Sequence, residues 1–424
     1  MTRHIIRKNV KNGVKNRSGM GRWKASLGSL LFGYLGIQLI VNIANGGVSN
    51  LLIPNRIAAI DPVNKVALLG TTGAVTAVVA LIAQPLWGLL SDRSHGRYGR
   101  RFGWVLAGVI GLALSILALA FSNSFPLLLI LMGLLCACYS MVLGPLTAVV
   151  PDRVPLEKRG LFSAVGGLGT FVGGVLGVLV VSPLVSSDSM GFLLLAALLL
   201  LALPLTLTVR EAPPTLPGAP RPPLRNVLRG LLIDPRKHPD FGWAFLARLV
   251  LVLGFWSLLS FQLYILSDYL GLGLSGANAV FPMLTAVATL GIVVALIPAG
   301  LISDRTGRRK PLVIGASALI ALSVLPQILW PSLSSAFISI GVAGIGFGCY
   351  LAVDQALMTQ VLPSAAHAGR DLGVLNIAQA GGQVLAPLAA SLVIGLSGYA
   401  GLYVFAGLMA VLAALAILPI KSVR

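Results

Sequence analysis

An all-α membrane protein of twelve transmembrane helices, arranged as two pseudo-symmetric six-helix bundles, is the fold this sequence predicts. Three observations lead there. The 424 residues are 57 % hydrophobic with a mean hydropathy of +0.93, more apolar than any water-soluble core requires. Twelve apolar runs are long enough to cross a bilayer. The charged stretch GLLSDRSHGRYGRR at Gly88–Arg101 has an echo, GLISDRTGRRK, that begins at Gly300, half a chain length later.

A hydrocarbon layer about 30 Å thick takes roughly 20 residues of helix, because lipid offers a bare backbone no hydrogen-bond partner. The runs lie near residues 26–50, 67–91, 102–122, 125–150, 160–184, 190–209, 241–267, 277–302, 311–330, 333–360, 370–396 and 399–420. The chain therefore divides into a basic tail at 1–25, an N-terminal bundle at 26–209, a linker at 210–240 and a C-terminal bundle at 241–424. In the linker six prolines between Pro213 and Pro223 forbid regular structure, while Leu224–Ile233 suits a short interfacial helix. In the fifth run, GGLGTFVGGVLG spaces small residues so that helix backbones can approach closely.

The net charge is +19, and its placement matters more than its size. Of 31 Lys and Arg, 28 fall in the tail, the C-terminus and the connections that follow even-numbered runs. Arg56 and Lys65 lie between runs one and two, and Arg248 lies inside run seven. Because basic loops stay in the cytoplasm, both termini and every even-to-odd connection are expected there. The charge thus reads as an orientation signal on lipid-embedded helices, not as a nucleic-acid footprint. Cys136, Cys138 and Cys349 fall within runs four and ten and show no metal-ligand spacing. No nucleotide-phosphate loop is present, and His4, His95, His238 and His367 all lie in loops or tails, so neither an enzyme, a metal nor a cofactor is expected.

A parallel duplication of six-helix halves with two G-x-[LI]-S-D-R…G-R-R strips resembles the major facilitator superfamily, over essentially the whole chain. The longer first strip, SDRSHGRYGRR, looks like the form in the glycoside-pentoside-hexuronide and sucrose-transporter branch, and LGVLNIAQAGGQVLAP in run eleven is similar to sucrose carriers. The resemblance implies alternating access around a central cavity lined by helices one, four, seven and ten. It also implies a gating role for Asp92, Arg93, Asp304 and Arg305: a carboxylate at a helix end that meets the other half only when the cytoplasmic side is closed. Gly88 and Gly300 would permit close helix approach there, and Arg100, Arg101, Arg308 and Arg309 would pair with acidic loop groups. Asp152, in PDRVP, is the expected partner of the first strip, while TQVLP offers no acid to the second. The plainer reading is that these arginines only enforce orientation.

Among charged residues only Arg248 and Asp354 fall well within spans, where an ion costs about 2.5–3.5 kcal/mol to insert. Counting residues puts both roughly 9–11 Å from the cytoplasmic edge. They are expected to face one another in the central cavity, Asp354 as the carrier of a proton or other cation and Arg248 as its counter-ion; a permanent structural salt bridge is the alternative. Gln38, Asn42, Asn45 and Ser49 share one face of helix one, and Asn376, Gln379 and Gln383 share one of helix eleven. On helix seven Arg248 and Gln262 fall on one face, flanked by Trp256 and Ser260. These amides either bond helix to helix or, with Trp256, Tyr139, Tyr350 and Gln355, line a site for an uncharged polyhydroxylated ligand.

The expected function is therefore secondary transport of a small neutral solute, a sugar or glycoside, together with protons, by a monomer surrounded by lipid in a bacterial inner membrane. The alternative is a proton-driven exporter of lipophilic drugs or other amphipaths, against which stands the lack of a Gly-Pro pair in helix five. A non-transporting receptor or membrane chaperone is a third class.

Overall fold

The computed structural model describes residues 27–94, 99–185, 189–210, 238–361 and 368–420. The tail at 1–25, His95, most of the linker and the side chain of Gln355 lie outside the described residues.

The described residues contain eleven helices long and apolar enough to span a membrane. The twelve spans of the sequence are recovered because the last of these, Val374–Ile417 with 44 residues, is twice the length a bilayer needs and is broken at Gly398. Gly398 adopts φ +69°, ψ −172°, which only glycine enters freely, and it divides α11 (368–397) from α12 (399–417). The other spans are α1 (Leu27–Gly47), α2 (Lys65–Arg93), α3 (Phe102–Leu119), α4 (Phe125–Arg153), α5 (Leu156–Val181), α6 (Met190–Leu200), α7 (Pro239–Ser260), α8 (Gly273–Thr306), α9 (Arg309–Ser323) and α10 (Leu333–Gln360).

Helix one is longer than its apolar run. A π turn at Val48–Leu52 carries it into Ile53–Ile60, so Arg56 sits on a helix and not in a loop. Its side chain bonds the Ala120 carbonyl at 2.7 Å and lies over the Phe192 ring. The opening helix of the second half does the same: α7 breaks at Phe261 and resumes through Gln262–Tyr264 into a π turn at Ile265–Tyr269.

Within each half the same pairs of helices touch. α1 packs on α5 and α7 on α11, while α2 packs on α4 and α8 on α10. The glycines in α5 account for the first contact: a methyl group on Gly177 would stand 2.1 Å from the Ile43 carbonyl, and one on Gly173 would stand 2.8 Å from Asn42 Cβ. The two halves meet through α2 on α11 and through α5 on α8. A Cβ on Gly73 would lie 2.3 Å from the Pro387 ring, and one on Gly70 would lie 2.2 Å from Ser391 Oγ.

The α2–α11 contact lies toward the face away from the two basic strips. At the basic face a Cβ on Gly88 or Gly300 would meet nothing within 4 Å. On its other side Gly88 approaches α4 of its own half, since a Cβ on Gly144 would stand 3.8 Å from the Gly88 nitrogen, while the space beside Gly300 is open. The halves are thus closed on one another at the face opposite the basic strips.

Candidate functional site

Ala343, Phe347, Tyr350, Asp354 and Leu357 recur at helical spacing along one face of α10, and all are buried. Ala244, Arg248, Leu251 and Phe255 do the same on α7. Folding these apolar stripes together brings the one acid and the one base of the membrane interior into contact: Arg248 Nη2 stands 3.2 Å from Asp354 Oδ2, at residue exposures of 1 % and 2 %. The Phe255 and Phe347 rings stack above the pair at 3.9 Å and 2°. Beside it lies a cavity of about 10 Å³, room for about one water molecule, bounded by Val313 and Ser317 of α9, Ala413 and Ile417 of α12, and Tyr350.

The expectation that Arg248 and Asp354 face one another in the central cavity is thus corrected in its second half. They pair inside the C-terminal bundle, because their helix faces carry the apolar residues that pack on α9 and α12. Tyr350 shares that buried face and is likewise withdrawn from the cleft. Gln262 is displaced as well: the break at Phe261 interrupts the helical phase assumed from Arg248, and its side chain lines a second small cavity with Ser323, Ser339 and Tyr403 inside the same bundle.

A third group reaches the pair. Gln379 of α11 accepts a hydrogen bond through Oε1 from Arg248 Nη2, the nitrogen that also faces Asp354. On the same helix Asn376 and Gln383 are exposed, eleven and four positions before Pro387, so they share the face that farther along packs on Gly73 of α2. The amide stripe thus continues the α2-facing side of α11 toward the basic face and is exposed there. Trp256 sets its ring edge-on to Phe255 and, with Phe171 of α5, packs against the core of the C-terminal bundle.

The stripe on α1 behaves differently. Gln38 and Asn42 are buried against Gly169 and Gly173 of α5. Asn42 donates to the Gln38 carbonyl at 2.8 Å and accepts from the Tyr139 hydroxyl at 2.8 Å. Asn42 thus bonds α1 to α4 while Gln38 bonds within α1, and the placement of the two amides on an open cavity is corrected. Asn45, half-buried, faces Ser49 at 3.5 Å.

At the basic face the first strip is knitted into its own half. Arg101, buried, bonds both Asp152 and Asp92, the latter at 3.3 Å, and donates to the Pro145 carbonyl. Arg100 also pairs with Asp152. Arg93 is exposed. The second strip is looser: Asp304, Arg305 and Arg308 are exposed, and Asp304 makes no ion pair among the described residues. Arg309 is half-buried and has interactions of its own. Lys310 caps the end of α12 through the carbonyls of Leu418 and Ile420, at 2.6 and 2.9 Å.

Sequence reasoning missed the polar latch at the opposite face, which joins the halves. Lys65 Nζ meets Asp268 Oδ1 at 2.7 Å and lies over the Tyr264 ring. Asp268 also accepts from Ser267 at 2.7 Å and from Tyr399 at 2.8 Å. Asn55 and Asn278 exchange amide hydrogen bonds at 2.7 and 2.8 Å, and Tyr264 donates to the Pro54 carbonyl. Partial burial acts to raise the Asp268 pKa, but the bonds from Lys65, Ser267 and Tyr399, together with the Lys65 charge, hold it below the ordinary carboxylate value. The one available signal was an isolated Lys65 and Asp268 in loops of the same face.

Among solved structures, that of the nucleoside transporter NupG superimposes with a TM-score of 0.71 at 14 % identity, covering 93 % of this chain and 100 % of that one. The structure of a D-xylose–proton symporter does so at 0.71 and 16 %, covering 94 % and 98 %. Both likenesses are of fold. In sequence, the transporter asaE of Aspergillus flavus is 28 % identical over 270 residues, which span 60 % of this chain and 56 % of that protein's length. The Major Facilitator Superfamily model matches residues 35–289 and 277–423, nearly all of both halves, and the chain belongs to that superfamily of membrane transporters.

Proposed function

We propose that this protein is a secondary transporter that carries a small neutral polar solute, a sugar or glycoside, together with a proton, by rocking its two halves about the cleft between α2 and α11. The observation that carries this reading is the Arg248–Asp354 pair, buried inside the C-terminal bundle and touched by Gln379 of α11, whose exposed neighbours Asn376 and Gln383 form an uncharged polar stripe. A carboxylate without access to bulk water is stable as an ion only while its partner stays in place, so it is suited to exchange a proton when that partner moves. Neutral amides suit hydroxyl groups and offer nothing to counter a phosphate or an acidic solute. The longer first strip and the α11 sequence, which resemble the glycoside and sucrose branch, support a sugar as the solute. The positive-inside pattern supports a cytoplasmic basic face, so that the closed face looks outward; a bacterial inner membrane is our reading of the setting.

The test is transport in proteoliposomes. Labelled sugars and glycosides are first screened by counterflow, in which saturable exchange identifies the solute. Asp354→Asn should then retain counterflow and lose accumulation driven by a proton gradient. Accumulation equal to the parent protein would refute proton coupling at Asp354, and the absence of exchange for any sugar, with drug efflux in its place, would refute the solute class.

A further inference from the structure

Arg248 Nη2 is shared between a buried carboxylate on α10, Asp354, and a neutral, half-buried amide on α11, Gln379. Arg248 Nε and Nη1 have no hydrogen-bond partner among the described residues, so the guanidinium is held on both sides through one nitrogen alone. Few other groups act on Asp354. The titratable side chains facing it are Arg248 from α7 and Tyr350 from its own helix; α9 presents Val313 and Ser317, and α12 presents Ala413 and Ile417. Gln379 is half-buried, three residues after the exposed Asn376 and four before the exposed Gln383. Its helix is also the one that meets α2 of the opposite half at Pro387 and Ser391.

From this geometry we propose that Gln379 is a positioning residue for the proton site: by taking a share of Arg248 it weakens the ion pair and lets Asp354 accept a proton. A guanidinium given wholly to the carboxylate favours the charged pair, whereas one drawn toward a neutral acceptor leaves a buried carboxylate more readily neutralised. Because Gln379 rides on the helix that forms the inter-half contact, separation of α2 from α11 moves the group that sets the balance. This inference rests on the reading of Asp354 as a proton carrier, and the test separates the two.

The carbonyl stretch of a protonated carboxylic acid is followed by infrared difference spectroscopy while the full-length protein in lipid nanodiscs is titrated; the part of the band missing in Asp354→Asn belongs to Asp354. Gln379→Met keeps the length of the side chain and removes the amide, and Gln379→Ala removes both. In each variant the midpoint of the Asp354 band should move to more acidic pH by about one unit, a tenfold loss of proton affinity. A band that titrates in the parent protein and keeps its midpoint in both variants overturns the role of Gln379, even where the variants melt at lower temperature, since packing alone explains that. If Asp354→Asn removes no band at any pH, Asp354 never takes up a proton, and the coupling reading falls together with this inference.

Discussion

At the scale of single residues, the ion pair shows what counting along a sequence can deliver. That Arg248 and Asp354 lie at one level was legible, because a rise of about 1.5 Å per residue needs only the ends of two apolar runs. Their direction was not. In a helix that is hydrophobic almost all round, no contrast between faces distinguishes the lipid from the interior of a bundle, and the polar residue was assigned to the cavity by default. The pairing predicts a specific asymmetry in stability. Arg248→Ala leaves Asp354 buried without its counter-ion and should cost about 3–5 kcal/mol, whereas Arg248→Ala with Asp354→Ala removes both charges and should recover most of that loss. Thermal melting of purified protein reads the difference. If the double variant melts below both single ones, the pair is a net contributor to stability and the argument from desolvation fails.

At the scale of the helix, spans and their order were readable throughout, while breaks were not. The continuation of α1 to Ile60 and of α7 to Tyr269 both run through π turns, which no apolar periodicity announces, and the break at Phe261 that precedes the second turned Gln262 off the face of Arg248. The glycines of α5 were readable as a packing face, and the structure sets them against α1. The glycines of α2 were harder, since Gly70 and Gly73 serve a contact between halves, which no pattern within one half announces. Gly73→Ala places a methyl group against the rigid Pro387 ring, where a flexible side chain would have yielded. The substitution should leave each bundle intact and populate the conformation in which α2 and α11 part at that end. Spin labels at Val63, in the turn before α2, and Leu396, in the last turn of α11 in the opposite half, 88 % and 89 % exposed, would show it as a lengthened distance. An unchanged distance distribution would mean that the contact is dispensable to closure.

At the scale of the whole molecule, the duplication written in the two strips accounts for the architecture, and the differences between the halves account for its state. The first strip is held by Asp152 and by Asp92 of its own half, whereas Asp304 has no such partner among the described residues, so the basic face has little here to draw the halves together. The opposite face is fastened by Lys65 and Asp268, and its strength depends on charge. Asp268 in the latch binds a proton less readily than an ordinary aspartate, which titrates near about pH 3.9. A carboxylate whose pKa is lowered in the closed form supports that form above the ordinary value and ceases to do so as pH falls through the lowered one. Closure should therefore be insensitive to pH near neutrality and weaken below about pH 4, while Asp268→Asn should weaken it at neutral pH. Side-chain exposures of 18 % and 31 % leave the pair partly screened, so its share is about 1 kcal/mol, or roughly a fivefold change in the ratio of closed to open. The Val63 and Leu396 labels report both effects. If acid and Asp268→Asn each leave that distance unchanged, closure rests on the Asn55–Asn278 bonds and the α2–α11 packing, and the ion pair is only a surface contact.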